Sequence, residues 1–219
     1  MTTHTAQLDA VITAVQTIPE ENFTAYRGGY PQEISTALID AVFSIRARYD
    51  STTPGSGVRN RVQTFRVEHT DLVNDLSALV ALGVDPVAQI MGSATTGGRP
   101  KAEAVIEAAE GYSSAGINTA DEFCAMDSRQ AKSIYTGVQG LRYVTFEYFT
   151  MLLGTPGVKT DVMIKRFITE ALSTAGLDDV EPQIARQLIV DAHTATGLGK
   201  DLTYFEHAIW LSQSRPSDD

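Results

Sequence analysis

The stretch that most constrains the fold runs over residues 135–167, where two breaks separate segments of helical character. The breaks contain residues that end or interrupt helices, namely Gly137, Gly140, Gly154, Pro156 and Gly157. The two glycines of the first break can adopt positive φ angles, so we expect them to bracket a tight turn. Residues 141–153 are apolar or aromatic on nearly every side, which is typical of a buried helix. A further helix is expected to begin near Asp161.

Apolar residues recur at helical spacing through most of the remaining chain, and glycine or proline separates the segments. No segment shows the alternation typical of a strand. We therefore predict an all-α fold of many short helices, with Asp121 and Ser128 as N-cap residues of two of them. The predicted helical segments are 8–18, 31–49, 58–65, 72–80, 87–91, 101–109, 121–126, 128–135, 182–192 and 204–211.

The charge of the chain is unevenly distributed along the sequence. The formal net charge is −10, which argues against a generally cationic nucleic-acid binder. Basic residues nevertheless outnumber acidic ones over residues 27–66 and in the central stretch, while acidic residues accumulate towards the C-terminus. The pattern fits either a molecule with one basic face or scattered surface charge.

Several classes of protein are disfavoured by simple counts. The single cysteine, Cys124, cannot form an intramolecular disulfide or a four-cysteine iron–sulfur site, and the four histidines show no metal-ligand spacing. We therefore expect no metal and no cofactor. The glycine-rich segment 92–98 lacks the Lys-Ser/Thr ending of a phosphate-binding P-loop. No apolar run approaches the ~20 residues of a membrane span, and no signal peptide is evident, so we expect a cytoplasmic protein without a membrane partner.

Three segments, taken in order, resemble the helix-hairpin-helix DNA glycosylase superfamily, which has the endonuclease III-like fold. The first is the long early segment from Tyr30 to Ile45, and the second is the Lys-Ala-containing segment from Arg99 to Ala109. The third is the central stretch. Family members show a Gly-Val-Gly hairpin, an apolar helix, a Gly/Pro break and then Val-Asp-x-x-(Val/Ile)-x-Arg. Here the matching segments are Thr136–Gly140, Phe149–Gly154 and Thr160–Arg166.

The resemblance implies an architecture of about ten short helices in two lobes around a cleft. Residues 1–219 would form a single domain, in which 30–135 make a helical lobe and 135–175 contribute the hairpin and the helix that carries the aspartate. Residues 1–29 and 176–219 would complete the second lobe.

The resemblance also implies a function, which is removal of a damaged or modified base from DNA. Asp161 matches the catalytic aspartate, which stabilises the sugar cation or assists the attacking water. A DNA-binding role falls to the hairpin and nearby cations: Gly137, Val138, Gln139, Gly140, Arg142, Lys159, Lys165 and Arg166. The flipped base would stack on aromatic walls, for which the candidates are Tyr30, Tyr143 and Tyr148.

The chain departs from the family pattern at two points that affect function. The hairpin contains Gln139 and is one or two residues longer than Gly-Val-Gly. Members that also cut the DNA strand place a lysine just after the hairpin, where this chain has Tyr143 or Val144. The nearby Arg142 cannot form an imine with the sugar. We therefore expect a monofunctional N-glycosylase, a hydrolase without strand cleavage.

Other interpretations of the same residues stay open. Asp161 can serve as a simple helix cap, and the Gly-x-x-Gly at residues 137–140 can be an ordinary turn. The alternative function is a catalytically inactive DNA-binding or protein-interaction module on the same fold. A KH domain is disfavoured because the strands that accompany its Gly-x-x-Gly loop are not evident. An unrelated helical enzyme acting on a small molecule is a more distant alternative.

Overall fold

Helices account for most of the chain. The computed structural model describes residues 3–26, 28–159 and 162–213, and the predicted all-α class is confirmed there. Those residues form twelve α-helices: α1 Thr3–Val15, α2 Ile34–Phe43, α3 Val58–Glu68, α4 Leu76–Leu82, α5 Val84–Met91, α6 Lys101–Ser114, α7 Ala120–Ala125, α8 Ser128–Gly137, α9 Tyr143–Leu152, α10 Val162–Thr174, α11 Pro182–Thr196 and α12 Leu202–Gln213.

The described residues divide into two compact units, each with its own apolar core. The first unit comes from the described parts of Met1–Arg27 and Pro156–Asp219, and the second comes from Gly28–Thr155. The predicted cleft between two lobes stays a prediction. Among the described residues, no helix combines the length and the apolar character needed to cross a membrane.

The first unit contains α1, a short 3-10 helix over Glu20–Thr24, and α10 to α12. Helix α1 packs on α10 and α11, while α12 packs on α10 and on the 3-10 helix. The helices bury apolar residues spaced three or four apart, as an amphipathic helix does when one face meets a core. The fully buried members of this core include Val11, Val15, Ile164, Leu172, Leu188, Ile189, Ala192, Phe205 and Ile209.

The second unit is built around α2, all ten residues of which are buried. Helix α2 packs on α3, α6 and α9, and α6 in turn packs on α4, α5 and α8. A helix buried on every side must be apolar nearly all round, and the sequence of α2 is so except for Ser35, Thr36 and Asp40. Asp40 is therefore a carboxylate within an otherwise largely apolar core.

Helix α2 is shorter than its apolar pattern predicts. The sequence indicates a helix up to Tyr49, but α2 ends at Phe43, and Arg46 has a φ angle of 49°. The physical reason is the buried ammonium of Lys101, which donates hydrogen bonds to the carbonyl oxygens of Phe43 (2.9 Å) and Ile45 (2.6 Å). Because the last carbonyls of a helix lack internal partners, this side chain satisfies the end of α2.

Two predicted N-caps are each displaced from the residue named by the sequence pattern. Helix α7 begins after Thr119, which forms a reciprocal capping box with Glu122, so Asp121 is not the cap. Helix α8 is capped by Asp127, which accepts hydrogen bonds from the backbone N–H groups of Arg129 and Gln130, so Ser128 is not the cap. In both cases a residue one or two positions earlier has the non-helical backbone that lets its side chain reach back to the helix.

A small β-hairpin interrupts the helices of the second unit. Strands β1 (Thr95–Thr96) and β2 (Arg99–Pro100) pair in antiparallel fashion. The two residues between them are Gly97 and Gly98, with φ angles of 58° and 84°. Two successive positive φ angles are what a two-residue hairpin turn requires, and glycine adopts them without strain. The prediction that the chain has no strands therefore missed this hairpin.

Candidate functional site

The helix-turn-helix formed by α8, residues 138–142 and α9 is the part of the structure that corresponds to the predicted hairpin. Helix α8 ends at Gly137, and α9 begins at Tyr143. The backbone N–H of Leu141 donates to the carbonyl oxygen of Val138 at 3.1 Å, which closes the turn. Val138 and Leu141 are both buried, so the turn is anchored in the core through two apolar side chains.

Only one of the two predicted turn glycines has the expected conformation. Gly140 has a φ angle of 92°, which favours glycine strongly. Gly137 is the last residue of α8 and borders the turn, but it does not have the expected positive φ angle. The turn follows Gly137, and Val138 and Leu141 within it are both buried.

The turn is held from the side by the β1–β2 hairpin. The hydroxyl of Thr96 donates a hydrogen bond to the carbonyl oxygen of Gly140 at 2.8 Å. The side-chain amide of Gln139 donates to the carbonyl oxygen of Gly97 at 2.9 Å. The glycines meet closely: a Cβ on Gly97 would lie 2.6 Å from the Cα of Gly140. Segment 92–98, whose sequence does not fit a P-loop, therefore packs against the α8–α9 turn and forms hydrogen bonds with it.

Exposed basic side chains lie along α8 and immediately before α9. Arg142 and Lys132 are exposed, and so is Arg129 near the start of α8. The ammonium of Lys132 lies 4.0 Å from the centroid of the Tyr143 ring, which is close enough for a cation–π interaction. The hydroxyl of Tyr143 donates to the carboxylate of the buried Glu147 at 2.6 Å. A helix N-terminus flanked by cations is suited to binding an anion.

Two of the three tyrosines predicted to stack on a base are instead bonded to Asp40. The hydroxyl of Tyr30 donates to Oδ2 of Asp40 at 3.0 Å, and that of Tyr148 donates to Oδ1 at 3.2 Å. Tyr49 adds a third hydrogen bond, to Oδ2, at 2.8 Å. Asp40 itself has no exposed surface. Tyr143 is the candidate that stays open to solvent, with 41% of its surface exposed.

Sequence reasoning missed Asp40 and Tyr49 as members of this cluster. The one available signal was an aspartate in the middle of an otherwise apolar segment, since a carboxylate in a core must be hydrogen-bonded. Burial, together with the charge of Asp40, raises the pKa values of Tyr30 and Tyr49 well above the usual range of a phenol. Both hydroxyls therefore keep their protons and act as donors at physiological pH.

The remaining predicted site residues belong to the first unit. Lys159 is half-buried, and Lys165 is exposed on α10. The guanidinium of Arg166 donates to both the side-chain and the backbone oxygen of Gln213 at the end of α12, with a distance of 2.8 Å to the side-chain oxygen. Asp161, the predicted catalytic residue, lies outside the described residues. The roles assigned to these four residues stay predictions.

Residues 6–214 match the model of a family described as a domain of unknown function, DUF8548. The chain belongs to this family. No curated protein shows a significant sequence match to the chain. The family assignment covers nearly the whole sequence, including both compact units and the α8–α9 turn.

Within the described residues, no group of histidine, cysteine, aspartate and glutamate side chains is arranged to hold a metal ion. Around the α8–α9 turn the structure places backbone N–H groups, the exposed cations Arg142 and Lys132, and the exposed ring of Tyr143. Such a set of groups can bind a phosphate and stack against a base.

Proposed function

We propose that this DUF8548 protein binds DNA through the α8–α9 turn and acts as a monofunctional DNA N-glycosylase on an endonuclease III-like fold. The observation that carries the proposal is the turn itself. Two helices meet at residues 138–142, Gly140 has a φ angle of 92°, and Val138 and Leu141 are buried beneath it. A rigid turn that leads into a helix N-terminus is well suited to holding a phosphate without reading sequence.

The electrostatics of the turn support a DNA phosphate as the ligand. The first N–H groups of a helix lack the usual partner four residues earlier and carry partial positive charge. At the start of α9 the N–H of Thr145 donates to the carbonyl oxygen of Arg142 at 3.1 Å. Arg142 stands immediately before this helix, and Lys132 reaches the ring of Tyr143 from α8. Local positive charge offsets the net charge of −10 that would otherwise repel DNA.

The register of the turn allows a second alignment with the glycosylase superfamily, in which Arg142 replaces the last glycine of the hairpin. Since the turn lies at residues 138–142, the family's Gly-Val-Gly corresponds to Gly140, Leu141 and Arg142. The hairpin then needs no additional residues, and the length difference inferred from the glycine spacing disappears. In this register the position of the strand-cleaving lysine falls on Val144, which has no amine. This supports base removal without strand cleavage.

Asp161 is the residue to which the proposal assigns the chemistry, on the basis of its position in the Thr160–Arg166 motif. In hydrolysis the bond between the sugar C1′ and the base nitrogen breaks, the base leaves with the bonding electrons, and water supplies the new oxygen at C1′. A carboxylate beside the developing sugar cation lowers the barrier, and it can also accept the proton of the water.

Base release from modified duplexes is the experiment that tests this activity. Duplexes carrying uracil, alkylated, oxidised or bulky modified bases are incubated with the wild type, Asp161→Asn and Asp178→Asn. The last variant removes one carboxylate from an exposed loop and serves as the matched control. We expect release by the wild type and by Asp178→Asn, and binding without release by Asp161→Asn. Equal release by all three proteins would show that Asp161 is not the catalytic residue.

One observation favours the second candidate, a DNA-binding or protein-interaction module without catalysis. Tyr30 and Tyr148 point their hydroxyls at Asp40 inside the second unit, which leaves Tyr143 as the exposed candidate for stacking. A folded wild type that binds duplex DNA but releases no base from the panel would support this second function. A folded wild type that neither binds DNA nor releases bases would contradict both DNA functions.

A further inference from the structure

The hydrogen bond from Thr96 to Gly140 joins two turns that are more than forty residues apart in the sequence. Its length is 2.8 Å, and Thr96 is buried, with 8% of its surface exposed. The glycines on both sides permit this approach. A Cβ on Gly140 would lie 2.8 Å from the backbone carbonyl of Thr96, and a Cβ on Gly97 would lie 2.6 Å from the Cα of Gly140. The two turns are therefore in direct backbone contact.

This hydrogen bond fixes one peptide plane of the α8–α9 turn. The carbonyl of Gly140 and the N–H of Leu141 belong to the same planar peptide group. The carbonyl accepts from Thr96, and the N–H donates to Val138 at 3.1 Å. With both polar groups held, the peptide cannot rotate without breaking a hydrogen bond. Its orientation sets the direction in which the chain enters α9, and with it the direction of the N–H groups in the first turn of that helix.

We propose that Thr96 is a positioning residue for the anion-binding turn, acting through the carbonyl of Gly140. The inference rests on the proposed DNA-binding function and assigns to the β1–β2 hairpin a part in it. The hairpin is suited to this role because Gly97 and Gly98 form a tight two-residue turn that holds Thr96 in place. Preorganised donors bind an anion more tightly than donors that must first be ordered.

A second hydrogen bond, donated by the α8–α9 turn to the β1–β2 hairpin, supports the same role. The amide of Gln139 donates to the carbonyl oxygen of Gly97 at 2.9 Å, so each turn supplies one side-chain donor to the other. Gln139 is exposed, and water can replace part of its contribution. The buried hydroxyl of Thr96 cannot be replaced in this way. We therefore expect Thr96 to matter more than Gln139 for the order of the turn.

The experiment compares Thr96→Val, which removes the hydroxyl with little change in shape, with Thr96→Ser, which keeps it. Gln139→Ala provides a second variant, whose altered side chain lies at the surface. Thr136→Val is the matched control, because the Thr136 hydroxyl donates to the carbonyl oxygen of Lys132 within α8 and not across to the other turn. Two quantities are measured: amide hydrogen exchange over residues 139–144, and the Kd for an undamaged duplex at low salt.

We expect Thr96→Val to raise amide exchange over the turn and to weaken DNA binding about fivefold or more. Thr96→Ser should restore both towards wild-type values, and Gln139→Ala should show smaller changes in the same direction. Thr136→Val should leave both unchanged. Unaltered exchange and unaltered Kd in Thr96→Val would overturn the proposal. Thr96→Ser as impaired as Thr96→Val would also overturn it, because the hydroxyl would then not be the active group.

The two measurements separate this inference from the proposed function. If the wild type does not bind duplex DNA, the DNA-binding function fails, and with it the functional role of Thr96. Amide exchange still reports whether Thr96 orders the turn, since it requires no ligand. If the wild type binds DNA and Thr96→Val raises exchange without changing the Kd, the binding function stands and the positioning role is wrong.

Discussion

The phenolic hydroxyl of Tyr49 lies 2.8 Å from Oδ2 of Asp40 and donates a hydrogen bond to a carboxylate that has no exposed surface. Tyr30, which precedes α2, and Tyr148, in α9, donate to the same carboxylate. Through these three hydrogen bonds, Asp40 links the residues that flank both ends of α2 to α9. Each donor offsets part of the free energy lost when the carboxylate leaves water.

Tyr49→Phe should lower the free energy of unfolding by about 1–3 kcal/mol, because it leaves the buried carboxylate with one donor fewer. Tyr204→Phe is the matched control, since no hydrogen bond to the Tyr204 hydroxyl occurs among the described residues. The control should change stability by no more than about 0.5 kcal/mol. Denaturant unfolding of the three proteins provides the measurement. Equal stabilities would show that the Asp40 carboxylate does not depend on Tyr49.

The Asp40 cluster shows which part of the fold a sequence pattern can predict. Apolar spacing predicted most of the helices, because burial of one face imposes a period on the residues that form it. It also placed Asp40 within the predicted helix over residues 31–49. Apolar spacing could not identify the tyrosines that donate hydrogen bonds to Asp40. Tyr30 precedes α2, Tyr49 follows it, and Tyr148 is more than one hundred residues away in the sequence. Such pairings arise from tertiary packing, which periodicity does not record.

Alanine substitutions at the two glycines around the α8–α9 turn should have opposite effects. Gly140→Ala should destabilise the protein by more than about 2 kcal/mol, because φ is 92° and the new Cβ would lie 2.8 Å from the backbone of Thr96. Gly137→Ala should be neutral or stabilising by up to about 1 kcal/mol, since the site is helical and has open space around it. Thermal or denaturant unfolding measures both.

This pair of variants also tests the register of the turn. If Gly137 needed a positive φ angle, as its spacing from Gly140 suggested, both substitutions would be destabilising. The sequence contains both glycines without indicating which one is strained. The buried positions of Val138 and Leu141 decide between them. Comparable losses of stability in the two variants would contradict the register described for the α8–α9 turn.

Lys101 should make stability depend on pH in the alkaline range. Burial lowers its pKa from 10.5 to about 8. Between these values the unfolded chain binds more protons than the folded chain, so stability rises with pH across that window. The change attributable to Lys101 is at most about 3 kcal/mol. Below pH 8 the amine is charged in both states, and the full cost of burying the charge is present.

The measurement is the difference in unfolding free energy between the wild type and Lys101→Met, followed from pH 7 to pH 10.5. This difference removes the pH-dependent contribution of every group that titrates equally in both proteins. The wild type should gain stability relative to Lys101→Met as the pH rises through 8. A parallel comparison with Lys165→Met, which removes an exposed lysine on α10, controls for the loss of one positive charge. A flat difference for Lys101→Met would mean that its amine keeps an ordinary pKa.

The phosphate-binding role and the catalytic role rest on different kinds of information. The α8–α9 turn lies among the described residues, and its register differs by one residue from the glycine spacing. Asp161 is assigned by its motif alone, because it lies outside the described residues. A motif fixes the order of residues along the chain. It does not fix the distance from a carboxylate to a substrate, which depends on packing that the motif does not contain.

The salt dependence of DNA binding should identify which cations contact phosphate. If Arg142 and Lys132 each neutralise one phosphate, Arg142→Gln and Lys132→Gln should each weaken binding and reduce the magnitude of the slope of log K against log salt by about 1. Arg48→Gln removes an exposed arginine whose guanidinium donates to the carbonyl oxygen of Asp50, and it should leave the slope unchanged. Fluorescence anisotropy with a labelled duplex at several salt concentrations measures all four proteins. An equal reduction of the slope in all three variants would indicate a general effect of charge and would argue against a phosphate site at the α8–α9 turn.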